Sequence, residues 1–333
     1  MFYKMKLKNL KNPKGTSEDI LEKRTAMWKP ILLILPALIV IILFIVVPFI
    51  TAANDSLHST PNPNLPFEKN FGTESFKILF EDKNFKTALS NSMLYAIISI
   101  PLIMIISLVI SSAISTLLRK KLKGFWQTIF FLPYVTSAIA IGLTFSYIFD
   151  FDKGLINKLF NIKVPWLNDI HGHTSLWSML IYGVWKGLAF NILIFTTAML
   201  GVDKKLYKSA SIDGAGPIKQ FFTITMPSIK STLSFLFTMG LIASIKVFPL
   251  ALFQNDSELA TKNNGSTLLL YIYNQLITNK NYSLAGAASV VLVGVSIAFT
   301  IFVKTFVKGI TIGTMKVGEY RVQTKIEASN QIK

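Results

Sequence analysis

The sequence has no cysteine in its 333 residues. That excludes a disulfide framework, a thiol nucleophile and a cysteine metal site. Histidine is nearly as scarce, with three in the chain, which leaves little room for metal chemistry. Charge is thin as well: 15% of residues are Asp, Glu, Lys or Arg, where a soluble domain carries about 25%. No Gly-x-x-x-x-Gly-Lys-Ser/Thr pattern occurs, nor any Gly-Lys pair, so no P-loop is available to cradle nucleotide phosphates. None of the 17 acidic residues lies deep in an apolar run, which counts against ion-coupled transport. What the chain has in abundance is apolar surface: 51% hydrophobic residues and a mean hydropathy of +0.50.

The apolar residues come in six membrane-length blocks. The first, Pro30–Ile50, holds no charge in 21 residues, enough at 1.5 Å per residue to cross a hydrocarbon core of roughly 30 Å. The others run at about Leu89–Leu118, Phe125–Phe149, Leu176–Leu200, Ile229–Phe253 and Leu284–Val307. Lipid offers no partner to free backbone groups, so each block is predicted to be helical. Pro36, Pro48, Pro101 and Pro133 fall inside or near the ends of these blocks, where neighbouring helices can satisfy freed carbonyls. The first block is too long for a signal-peptide core and has no small-residue cleavage site after it, so it reads as a retained span. The fold class is therefore an all-α membrane protein with six transmembrane helices.

Lysine and arginine set the expected orientation. Residues 1–29, 119–124, 201–230 and the tail from Lys304 carry most of the 34, and the alternate segments carry few. The positive-inside rule then puts both termini on the cytoplasmic side of the cell membrane. The net charge of +17 becomes a topology signal, and a nucleic-acid footprint is not indicated. The domain reading is a cytoplasmic segment 1–29, a six-helix domain 30–308 and a cytoplasmic tail 309–333. Ser59–Asn70, rich in Pro and Asn, reads as an external loop.

The cytoplasmic loop 201–228 (GVDKKLYKSASIDGAGPIKQFFTITMPS) is the most informative stretch. Lys204–Ile212 suits a short helix with Leu206, Tyr207 and Ala210 on or near one face. Gly214 is placed as the left-handed residue that stops it. Pro217 fits the first turn of a second short helix carrying Ile218, Phe221, Phe222 and Ile224. Pro227 is expected to break that helix before the next span. Two amphipathic half-helices need something to pack against, either the membrane surface or a soluble partner.

Here the sequence resembles the membrane permeases of binding-protein-dependent ABC importers. Their signature is Glu-Ala-Ala, three residues, Gly, nine residues, then Ile-x-Leu-Pro. In this chain Lys208-Ser209-Ala210, Gly214 and Ile224-Thr225-Met226-Pro227 stand at those places. The surrounding wording is most similar to the carbohydrate branch. Similar wording recurs at Asn91-Ser92, Phe131-Leu132-Pro133, Gly154-Leu155-Ile156-Asn157, Trp166-Leu167, Val184-Trp185-Lys186-Gly187 and Phe190-Asn191. The resemblance covers residues 30 to 308. It implies a transporter subunit, not an enzyme, that moves a sugar, oligosaccharide or glycerol-3-phosphate-type polyol.

The resemblance also implies partners: a second permease subunit that completes a heterodimer, two ATP-binding subunits and an extracytoplasmic solute-binding protein. No cofactor belongs to this chain; ATP and magnesium sit on the partner ATPase. Membrane lipid surrounds the subunit. The ATPase-coupling positions it implies are Leu206, Tyr207, Lys208, Ser209, Ala210, Asp213, Gly214, Ala215, Phe221, Ile224 and Pro227. One departure matters, because Lys208 stands where the family has glutamate. A compensating acidic residue on the partner, or docking through apolar contacts, would reconcile it. Met226 for leucine conserves volume.

Lys186 and Lys246 are the charges well inside apolar blocks, and buried ionisable groups in spans face the protein interior or water. They are candidates for the substrate path, against the plainer reading of packing or snorkelling lysines. Aromatic and amide groups that suit sugars add Trp185, Asn191, Phe248, Tyr271 and Asn274, with Phe145 and Tyr147. Helix packing is the plainer reading for each. His171-x-His173 lacks third and fourth ligands, so no metal site is expected. The carboxylate pairs Glu81-Asp82 and Asp150-x-Asp152 sit at loops or membrane edges and read as solvated. An ion-coupled secondary carrier, or a channel or scaffold, stays open as an alternative at this point.

Overall fold

The computed structural model describes residues 28–59, 70–170 and 172–330. Most of the expected N-terminal segment, most of the loop Ser59–Asn70, and His171 lie outside the described residues. The chain divides into two compact units, Met1–Thr51 and Ala52–Lys333. The described part of the first is an apolar helical run built from α1 (Trp28–Ile41), a π-helical turn (Ile42–Val46) and the start of α2 (Val47–Ser56). Its side chains, Leu33 and Phe44 among them, are exposed. This is the surface lipid asks for and water would reject.

Among the described residues of the second unit the regular structure is helical apart from a two-residue antiparallel pairing of β1 (His58–Ser59) with β2 (Asn70–Phe71). α3 (Glu74–Glu81) leads into α4 (Lys83–Thr116), whose first turn is capped by the Asp82 carboxylate accepting from the Asn84 N–H at 2.8 Å. α5 (Lys120–Val135) and α6 (Ala138–Ile148) follow, then the short α7 (Leu155–Phe160) and α8 (Thr174–Leu200). Among the described residues five helical stretches are long and apolar enough to cross a membrane: Ile31–Ser56, Lys83–Thr116, Thr174–Leu200, Lys230–Phe253 and Tyr282–Val307. α5 with α6 makes a sixth if taken as one broken span.

That break differs from the single block expected at Phe125–Phe149. α5 and α6 meet at an angle of 92°. Pro133 removes one donor from the ladder, and three residues on Thr136 and Ser137 adopt extended conformations. The freed groups find local partners. The Thr136 hydroxyl donates to the Leu132 and Pro133 carbonyls, and the Ser137 hydroxyl caps α6 by accepting from the Ala140 N–H.

Small residues let the helices approach. A Cβ on Gly183 of α8 would overlap the Tyr95 hydroxyl of α4, and one on Gly187 would meet Ile103 Cδ1 at 2.7 Å. The Ser111 hydroxyl of α4 donates to the Ile192 carbonyl of α8 at 3.0 Å. One buried cluster collects Phe85, Ile100, Phe195, Ile245, Leu268 and Tyr271, and a second collects Tyr95, Phe149, Met179, Leu252 and Phe253.

After α8 come three short helices of the 201–228 loop, α9 (Lys204–Ile212), α10 (Pro217–Gln220) and α11 (Met226–Ser228). Then α12 (Lys230–Ile245) leads into a 3₁₀ turn at Leu250–Phe253 and α13 (Ser257–Lys262). α14 (Leu268–Tyr273) continues through a π-helical turn, Asn274–Thr278. The last helix, α15 (Tyr282–Asn330), runs on past the expected span end at Val307.

The irregular backbone before α14 is held by polar side chains from other helices. Asn91 donates to the Asn264 and Ser266 carbonyls at 2.6 and 2.9 Å, and the Ser92 hydroxyl accepts from the Leu268 N–H at 2.9 Å. Ser175 donates to the Asn263 carbonyl at 2.7 Å. These bonds satisfy backbone groups that a buried loop otherwise leaves bare. They explain what the Asn91-Ser92 pair does in the fold.

Candidate functional site: the 201–228 loop and a polar cavity

The loop folds into a clip. Asp203 caps α9, its carboxylate accepting from the Lys205 N–H at 2.9 Å. Gly214 ends the helix at φ +75°, the left-handed conformation glycine adopts without a Cβ penalty. The Ala215 N–H then donates to the Ala210 carbonyl at 2.9 Å. Pro217 occupies the first turn of α10. The two arms are tied by the Tyr207 and Thr225 hydroxyls, 2.8 Å apart. They are tied again by Gln220, whose amide donates to the Ser211 hydroxyl at 2.9 Å and the Ala215 carbonyl at 2.8 Å.

Pro227 does not break the second arm. The helix passes from α10 through a π-helical turn, Phe221–Thr225, into α11, where Pro227 sits in the first turn. The π-helical turn before it, closed by the Met226 N–H donating to the Phe221 carbonyl, accommodates the donor that Pro227 lacks. The break falls two residues later, at Ile229.

The clip sorts its side chains into two sets. Tyr207, Ala210, Ala215, Phe221, Ile224 and Thr225 are half-buried or buried, and Phe221 packs on the main core. Leu206, Lys208, Ser209, Asp213, Gly214 and Pro227 are exposed. So are Ile212 at 87% and Ile218 at 76%. The outward display of Ile212 was not singled out from the sequence. Its place one residue before the Asp-Gly stop was the available signal.

A cavity of ≈ 380 Å³ lies among three helices of the second unit. α4 contributes Tyr95, Ser99 and Met104. α8 contributes Tyr182, Gly183, Lys186, Gly187 and Asn191. α12 and the residues after it contribute Leu236, Gly240, Ser244 and Phe248. Lys186 is the one charged side chain in this lining, and its Nζ lies 6.0 Å from the centre of the Tyr182 ring. The Asn191 amide donates to the Gly187 carbonyl at 2.9 Å. Ser99 is fully buried, yet its hydroxyl has no protein partner.

The candidates from sequence divide here. Lys186, Asn191 and Phe248 share the cavity. Trp185 is outside its lining, 39% exposed, with its ring 5.3 Å from that of Phe145. Tyr147 is 76% exposed. Lys246 is exposed at the C-terminal end of α12 and does not line the cavity. Tyr271 is buried elsewhere and donates to the Asp82 carboxylate at 2.6 Å. Burial, with that carboxylate beside it, pushes the Tyr271 phenol well above its ordinary pKa. Asn274 accepts from the Ser257 hydroxyl at 3.2 Å. Tyr95, Ser99, Tyr182 and Ser244 were missed. Their signal was helical spacing of polar residues inside apolar blocks: Tyr95 to Ser99 and Tyr182 to Lys186 are each four apart; Ser244 had no such signal.

The pattern of the family described as "Binding-protein-dependent transport system inner membrane component" matches residues 107–312, more than half the chain. The chain belongs to this family. A probable ABC transporter permease of Mycoplasma pneumoniae is 42% identical over 327 residues, covering 97% of this chain and 99% of that one. A probable ABC transporter permease of Bacillus subtilis is 30% identical, over 84% of this chain and 96% of that one. The sn-glycerol-3-phosphate transport system permease of Yersinia pestis is 27% identical, over 84% and 94%. The crystal structure of a bacterial ABC transporter for the acidic polysaccharide alginate shares the fold. Its TM-score is 0.67 at 20% identity, covering 87% of this chain and 96% of that one.

The chain is thus a multi-pass membrane permease of the ABC importer type and not an enzyme. Among the described residues no cluster of three or more His, Cys, Asp or Glu could hold a metal ion.

Proposed function

We propose that this permease imports a carbohydrate-class solute across the cytoplasmic membrane, with both termini on the cytoplasmic side. The solute is a sugar, an oligosaccharide or a glycerol-3-phosphate-type polyol. ATP and magnesium act on two separate ATPase subunits; a second, different permease completes the pore, and a binding protein outside delivers the solute. The cargo class draws on relatives whose names specify sn-glycerol 3-phosphate and alginate. The outside partner draws on the alginate transporter determined together with a sugar-loaded periplasmic protein.

The observation that carries the proposal is the clip. A chain without a P-loop presents a hydrogen-bonded helical pair with Ile212 and Ile218 almost bare. A rigid knob of this kind suits insertion into a groove of a soluble partner. Closure of the ATPase pair then pushes on Leu206, Lys208, Ser209, Asp213 and their neighbours. Phe221, packed on the core, passes that push to the span helices. Ligand-loaded binding protein biases the cycle by favouring the outward-facing state. Lys208, in place of the family's glutamate, calls for an acidic residue in the ATPase groove. Lys186, Asn191 and Phe248 are the substrate-path residues, because the cavity brings them together.

The test is a mild-detergent pull-down of the tagged chain from its native membrane, with partners identified by mass spectrometry. Co-purification of a P-loop ATPase, a second six-span protein and a solute-binding protein is the expected result. A chain recovered alone that still moves solute without ATP would overturn the proposal.

A further inference from the structure

The cavity carries a chemical preference of its own. Its lining holds one cation, Lys186, and no carboxylate among the described residues. Around that cation stand Tyr95, Tyr182, Ser99, Ser244 and the Asn191 amide, all groups that can hydrogen-bond oxygen. Lys186 is the decisive one, because a cation inside an apolar span with no carboxylate in the same lining has no opposite charge beside it. Resting on the permease reading, we propose that the cavity recognises a small anionic polyol or sugar acid. Its phosphate or carboxylate pairs with Lys186, and its hydroxyls meet the tyrosines of the lining.

A lysine in an apolar span is expensive to keep, and in this cavity no carboxylate offsets it. A passing anion offsets it. A neutral sugar would satisfy the hydroxyls and leave the ammonium bare. A cationic solute would meet like charge in a low-dielectric site and be excluded. The apolar part of the wall, Ile100, Ile103, Met104, Leu236 and Val247, gives the carbon skeleton a surface to lie on.

The absence of cysteine makes a direct test available. Gly240 lines the cavity and a Cβ there meets nothing within 4 Å, so Gly240→Cys places one thiol in the cavity without strain. In native membranes, the rate of its modification is measured with two methanethiosulfonates of similar size. One carries a sulfonate and the other a trimethylammonium group. The anionic reagent is expected to react faster, and Lys186→Gln should lower the anion-to-cation rate ratio about tenfold. Lys186→Arg should keep the ratio. sn-Glycerol 3-phosphate should slow the labelling and glycerol should not.

A ratio unmoved by Lys186→Gln overturns the proposal, as does equal protection by glycerol. So does a thiol that neither reagent reaches. The measurement is repeated in vesicles of phosphatidylcholine with and without phosphatidylglycerol. Labelling blocked by the anionic lipid alone would make a headgroup the occupant and overturn the solute assignment. Failure of the pull-down would sink the importer reading without moving the labelling ratio, so the two conclusions fail separately.

Discussion

Gly214 offers the sharpest separation between backbone geometry and side-chain contact. Its φ is +75°, and a Cβ added there meets nothing within 4 Å. Any cost of substitution is therefore conformational. For alanine that cost is about 1–2 kcal/mol, the penalty of an L residue in left-handed helical space; a β-branched residue costs more. Against it stand the ties that hold the clip: the Tyr207–Thr225 pair and the two Gln220 bonds. At about 0.5–1.5 kcal/mol each, these together outweigh one alanine and roughly balance one valine.

Gly214→Ala should accordingly leave the clip mostly formed, with ATP-driven uptake down by no more than a few-fold. Gly214→Asn should behave close to wild type, since asparagine tolerates this conformation. Gly214→Val should cut both uptake and co-purification of the ATPase by about tenfold or more. Combining Gly214→Ala with Tyr207→Phe, which removes one tie, should be as severe as valine alone. Membrane insertion should persist in every case, because no span is touched. The assay is uptake in vesicles loaded with ATP, beside quantitative pull-down of the ATPase. Full co-purification of the valine variant, or equal loss across asparagine, alanine and valine, would refute the coupling role and the energetic argument together.

Other expectations concern the bundle. Gly183→Ala should lower the thermal midpoint of the detergent-solubilised permease, at about 1–3 kcal/mol, because the new methyl overlaps the Tyr95 hydroxyl. In a Tyr95→Phe background the worst overlap is gone, but the ring carbon at 2.9 Å still crowds the methyl, so the loss should shrink without vanishing. Asn91→Ala should cost about 2–3 kcal/mol by stripping two carbonyls of their buried donor, seen as a drop in midpoint and faster proteolysis near Asn264. Tyr271→Phe should cost about 1.5–3 kcal/mol, the range for a hydrogen bond to a charged group, while the labelling ratio at Gly240→Cys stays put.

Much of the fold was legible from residue order, for a simple reason. Lipid penalises every unpaired backbone group, so a charge-free run of about 20 residues has one accessible state, the helix. The 201–228 loop was legible for a local reason as well. Asp203, Gly214 and Pro217 act through their own backbones, and capping, left-handed φ and fixed φ need no distant partner. The family motif spacing was readable for the same cause. What failed was also local in wording but not in outcome. Pro133 was expected to be absorbed within a span, and Pro227 to break its helix. One stands near a 92° bend, and the other lies within a helical path that a π turn carries through.

The sequence by itself determined the class of the molecule, the positions of five of the six apolar stretches to within several residues, and where the clip's first helix stops and its second begins. Each follows from hydropathy or from backbone chemistry at single positions. Only the tertiary structure decided which polar residues share a space. Lys186 and Lys246 are equivalent as charges in apolar runs, yet one lines a cavity and the other is exposed at the end of α12. Tyr271 and Tyr95 are both buried tyrosines, yet one is spent on Asp82 and the other faces the cavity. The helical period places a residue on a face, but the neighbour that face meets depends on how α4, α8 and α12 cross. Those crossings are set by contacts between residues far apart in the chain, such as Gly183 beneath Tyr95 and Ser111 on Ile192.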